Sequence, residues 1–158
     1  MSPLYIHVLI NRLPEMGLGI SLLSLFLGFC FGSLQARRVA LILVILCAGS
    51  AWPVLKTGQK GYDAIYYSLE KDDQAWLNAH MNAAEHWVWG FIFVAALALL
   101  TLVSSIKWPR AEWPLSLSVL LLGACMIAVG GYISYLGGRV RHVEFRDGPP
   151  PIVKPEKP

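Results

Sequence analysis

Along four stretches of the chain the alternation of polar and apolar positions disappears. Met16–Leu34, Val39–Leu55, Trp87–Ile106 and Pro114–Leu136 each run for about twenty residues, and their only ionisable groups are cysteines and tyrosines. That length of helix crosses a hydrocarbon layer of about 30 Å, and none of the four shows the polar face of a soluble core helix. The pattern predicts an all-α fold: a four-transmembrane-helix bundle, antiparallel and up-down. Residues 1–147 form the membrane domain. Residues 148–158, "GPPPIVKPEKP", are expected to be a proline-rich flexible tail.

Connections follow from the intervals. Gln35-Ala36-Arg37-Arg38 is short enough to be only a tight turn between spans 1 and 2, and "KWPRAEWP" joins spans 3 and 4, with Pro114 placed to start the last helix. Between spans 2 and 3 lie about thirty polar-rich residues. Tyr62–Leu69 in their centre carries aromatic and apolar residues at helical spacing, which predicts a short interfacial helix in this long loop. Trp76–Glu85 is expected to begin the third helix outside the membrane. The N-terminus has no small-residue cleavage site after its apolar run, so span 1 is expected to be retained.

In such a topology both termini and the long loop share one side, and the two tight turns share the other. The turns concentrate Arg37, Arg38, Lys107 and Arg110 against Glu112 alone. The terminal side scatters nine Lys/Arg among nine acids. Weighting the arginines that follow span 1 places the terminal side outside, periplasmic in a bacterial inner membrane. Glycines stripe two spans, as Gly28-x-x-x-Gly32 in span 1 and as Gly123, Gly130, Gly131, Gly137 and Gly138 in span 4. Such stripes let backbones approach closely in lipid, or leave room for a flat cofactor.

Composition removes several classes of function. A net charge of +3 without a basic stripe gives no footprint for nucleic acid. Cys30, Cys47 and Cys125 lie inside spans with no C-x-x-C, and none belongs to a covalent haem-attachment motif. The span serines have no paired base, which gives no catalytic residues and makes an enzyme the lesser expectation. With no charge deep in a span, ion-coupled transport is disfavoured. Arg12 and Glu15, three apart around Pro14, can pair near the interface.

The chemistry left is histidine. His7, His80, His86 and His142 all fall on the terminal side. His7, His80 and His142 lie at comparable heights, roughly 9–14 Å beyond their apolar stretches at about 1.5 Å per helical residue. On helix 3, His80 shares a face with Ala83, Ala84 and Trp87, the small face that suits close helix approach. His86 lies about 120° away at 100° per residue and reads as an interfacial residue, less suited to ligate. Imidazoles so placed suit haem b or a copper or zinc ion. In the haem reading, His142 and either His7 or His80 are the ligands, and Arg139, Arg141 and Arg12 are cations for the propionates. In the metal reading the donors are His7, His80 and His142, with Glu144 or Glu85 supplying an oxygen. No histidine lies at the turn side, so any electron relay is one-sided, to or from a soluble redox carrier. The alternative is a structural or accessory subunit of a larger membrane complex, respiratory or photosynthetic, with no cofactor of its own.

The segments "HVLINRLPEMG" at 7–17, "TGQ" at 57–59, "AHMNAA" at 79–84 and "GGRVRHVEFR" at 137–146 together resemble a group of uncharacterised bacterial four-helix integral membrane proteins that end in GG-x-[IV]-R-H-x-E-[IF]-R. The resemblance spans nearly the whole chain and implies the four-helix fold, with His7, His80 and His142 at signature positions. It also implies a second N-terminal histidine where this chain has Arg12. It lends no activity.

Overall fold

The computed structural model describes residues 1–151. Among them every regular element is helical: α1 (Pro3–Ile10), a π-helical turn (Leu13–Gly17), α2 (Leu18–Cys30), α3 (Leu34–Gly49), α4 (Ala51–Tyr66), α5 (Lys71–Lys107), α6 (Pro109–Arg141) and a 3-10 turn (Val143–Phe145). They form four rods, Pro3–Cys30, Leu34–Tyr66, Lys71–Lys107 and Pro109–Arg141, each long and apolar enough to cross a membrane. At 28–37 residues the rods reach about 42–55 Å, so each overshoots a 30 Å hydrocarbon layer.

That overshoot revises the expected connections. The long loop shrinks to Tyr67–Glu70, because α4 extends the second rod to Tyr66 and α5 begins at Lys71. The expected separate helix over Tyr62–Leu69 is therefore the last turn of α4 and the bend after it. Residues beyond the second apolar stretch remain helical because they have neighbours to pack on: α4 lies against both α1 and α5. Prolines set the interruptions within rods. Pro14 cannot donate to the carbonyl of Ile10, and α1 gives way there to the π turn; Pro53 cannot donate to Gly49, and the second rod breaks at Ser50.

The two tight turns also differ from expectation. Span 1 ends in a Schellman motif, with Gly32 N–H donating to Phe29 O at 3.0 Å and Ser33 N–H to Gly28 O at 3.0 Å. Gly32 has φ +61°, so it is the turn residue and not half of a packing stripe. Ser33 caps α3, which puts Arg37 and Arg38 on the helix and outside the turn. The third rod ends at Lys107, the fourth starts at Pro109, and Pro114 lies inside α6.

The core is read off the rods at three- and four-residue intervals: Leu18, Leu22 and Leu25; Leu41, Val44 and Ala48; Val94, Ala95 and Ala98; Val119 and Met126. Small residues bring the rods close. A Cβ on Gly123 would stand 2.7 Å from Leu22, and one on Gly90 2.7 Å from Met126 Sδ. At the turn end, Arg37 donates to both carboxylate oxygens of buried Glu112 at 2.8 Å, and Ser116 donates to the same carboxylate. Arg38 bonds Ser105 on α5. At the other end a second apolar cluster of Trp76, Leu77, Leu136 and Val140 closes over the rods.

Candidate functional site

Between the terminal-side halves of the four rods lies a cavity of about 540 Å³. His7 of α1 and His80 of α5 both line it. The walls are mostly apolar, including Leu55, Leu77, Val88 and Phe91, with Arg12, Glu15, Ser134 and Arg141 at its polar edges.

Both imidazoles are held in the same way. His7 Nδ1 is 2.9 Å from Val54 O of α4, and its ring lies on Gly58, whose Cβ would stand 3.0 Å from ring atoms. His80 Nδ1 is 2.9 Å from Ile133 O of α6, and its ring lies on Gly137, again with 3.0 Å to a built Cβ. In each case the glycine follows the accepting carbonyl by four residues. A helical side chain leans toward the N-terminus and covers the turn before it, so a glycine at that position uncovers the carbonyl and admits a ring. A carbonyl only accepts, so Nδ1 carries the proton in both rings. In the neutral ring Nε2 then has its lone pair free to bind a metal. A carbonyl partner on the second nitrogen is also what orients and strengthens metal-bound imidazoles.

His7 and His80, one from each helical hairpin, are the two histidines held on carbonyls in this way; His142 lines the same cavity but is held differently. Here α6 has ended at Arg141, and His142 adopts an extended backbone. Its Nδ1 is 3.0 Å from Glu144 Oε1 and its ring stacks on Phe145 at 4.9 Å. Glu144 is held below the usual carboxylate range by its own backbone N–H and by His142, so it stays charged as a partner for that ring. His86 is exposed beside Trp87 and does not line the cavity.

The cations divide as well. Arg12 and Arg141 line the cavity; Arg139 does not. Arg139 is buried between Trp76 and Tyr135, with its guanidinium 4.8 and 4.0 Å from the ring centroids, and it is tied to Asp147 at 2.6 Å. The chain after α6 is strapped down by Arg146, which bonds Asp73 and the carbonyls of Arg139 and Val140. Arg139 and Arg146 of the "GGRVRHVEFR" segment are thus paired within the chain, with Asp147 and Asp73, while Arg141 lines the cavity. Glu85 accepts from Gln59 and lies off the cavity. Among the described residues no three of His, Cys, Asp and Glu stand together as a metal-binding group, so His7, His80, His142, Glu85 and Glu144 are not assembled into one.

Glu15 is the residue whose placement the sequence understated. The π turn carries it to the cavity wall, where it accepts from Ser134 Oγ and pairs with Arg12 at 3.7 Å, the i,i+3 pair expected from the sequence. No family model matches the chain, and no curated protein or solved structure matches it either.

Proposed function

We propose that this protein is an integral membrane b-type cytochrome that holds one haem between His7 and His80 and relays electrons on one side of the membrane. The observation that carries this reading is the matched pair of imidazoles, each with Nδ1 committed to a carbonyl and its ring seated on a glycine. A zinc or copper ion needs three or four protein donors, whereas haem brings four nitrogens of its own and needs only two axial ligands. The cavity volume falls within the range of about 300–1,000 Å³ usual for cofactor pockets, and its walls are apolar as a porphyrin face requires. Arg12 and Arg141 are the cations available to propionates.

When bound, haem supplies a reversible one-electron step. The chain fixes the ligand tautomer, excludes water with Leu77, Val88 and Phe91, and holds the two hairpins at one spacing. The up-down antiparallel arrangement is supported by the packing of α1 on α4 and α2 on α3. The partner we propose is a soluble redox carrier meeting the terminal side, which we place on the periplasmic face of a bacterial inner membrane.

Optical and paramagnetic-resonance spectra of the detergent-purified protein loaded with haem b test the reading. The expected result is one haem per chain with a low-spin, bis-imidazole signature. His7→Ala and His80→Ala each lose that signature, while His86→Ala and His142→Ala keep it. No Soret band at stoichiometric haem, or a signature that survives both inward substitutions, overturns the proposal.

A further inference from the structure

Among the described residues lining the cavity, Glu15 is the only carboxylate. It lies eight residues along the first rod from His7, roughly 12 Å at 1.5 Å per residue. The π-helical turn around buried Pro14 places it there, and turns of this kind recur at functional sites. Its aliphatic stem packs on Gly130, within 3.3 Å of where a Cβ would be, so the helix opposite is pared back to admit it. Oε2 takes both its partners, Ser134 and Arg12, while Oε1 takes none among the described residues. Arg12 is 64% exposed and 3.7 Å away, a solvent-screened partner that compensates the carboxylate weakly. Glu15 thus sits at the polar edge of the cavity, 18% exposed, with one carboxylate oxygen free to take a proton.

We propose that Glu15 is the proton acceptor of this site, taking up one proton from water at Oε1 when the haem held by His7 and His80 accepts one electron from a one-electron donor. The inference rests on the haem reading. The electron that enters draws a proton toward Glu15, offsetting part of the charge added to the cavity. A unit charge about 10 Å away at an effective dielectric near 20 alters a proton's affinity on the order of tenfold. The other titratable or charged groups facing the cavity are Arg12 beside the π turn, Tyr62 of α4, and Arg141 and His142 at the end of α6. Of these, His142 is also paired with Glu144.

Potentiometric titration of the haem-loaded protein between about pH 5 and 8.5 is the test. The expected midpoint falls with rising pH by up to about 59 mV in total for one electron, the equivalent of a tenfold change in proton affinity on reduction. Glu15→Gln flattens the profile and Glu15→Asp restores a slope, while the bis-imidazole spectrum is unchanged in both. The reduced-minus-oxidised infrared spectrum of the unsubstituted protein gains a protonated-carboxyl band that Glu15→Gln removes. A flat profile without that band in the unsubstituted protein, or a slope that Glu15→Gln leaves intact, overturns the role of Glu15 with the haem reading standing. Failure to bind haem at all overturns both.

Discussion

Gly58 and Gly137 decide where the imidazoles can sit. Replacing either by Ala sets a methyl 3.0 Å from ring atoms, so the ring has to shift by a few tenths of an ångström against its carbonyl. The substitution gains about 0.5–1 kcal/mol of helix propensity and loses about 1–3 kcal/mol to overpacking, for a small net change in folding. The effect on the ligand is larger than that on the fold. We expect Gly137→Ala and Gly58→Ala to preserve the folded protein by circular dichroism and to weaken haem retention at least tenfold, measured by transfer to an apo-globin. The histidines were legible by depth along their helices, and His80 also by helical phase. Their seats on carbonyls of neighbouring helices were not. The decisive signal, a glycine four residues after the carbonyl that a histidine reaches, lies on another helix, with the carbonyls themselves 47 and 53 residues away in sequence. A pattern confined to one helix cannot contain it.

At the scale of elements, the hairpins are joined at their turn ends by Arg37 and Glu112. The side chains of this pair are 11% and 2% exposed, bonded through two parallel N–H donors, and Ser116 donates to the carboxylate as well. Removing one partner strands the other's charge among buried neighbours, at a cost of about 3–5 kcal/mol. Glu112→Ala should therefore lower thermal stability sharply, read by loss of monodisperse protein on heating. The double substitution Arg37→Met with Glu112→Leu should recover most of that loss, since a well-packed apolar pair is often neutral in place of a buried ion pair. If the two variants lose equal stability, the pair contributes through its charge coupling and not through packing. The four apolar runs were readable because a membrane span is written in consecutive residues. The Arg37–Glu112 clamp was not, since its partners are 75 residues apart and each read alone as an ordinary turn charge. Helix ends were misplaced for a related reason. Polarity marks where lipid stops, but α4 and the start of α5 continue as helix beyond it because they pack on each other and α4 packs on α1.

For the whole molecule, the asymmetry between the two ends sets what it can do. The terminal end holds the cavity and every histidine; the turn end holds a closed ion pair and no imidazole. A haem at the terminal end has no second ligand pair among the described residues to pass an electron across some 30 Å of hydrocarbon. Electron exchange is therefore expected from the terminal side alone. In proteoliposomes, a membrane-impermeant reductant should reduce only the fraction of haem whose chains expose a C-terminal tag to external protease. A permeant reductant should reduce all of it. Equal and complete reduction by both would mean that electrons cross the bundle, and one-sided relay would have to be abandoned. The same preparation reports sidedness in cells when the tag is probed in spheroplasts. The arginines of the turns and the scattered charges of the terminal end give opposed readings by sequence, and this labelling decides between them.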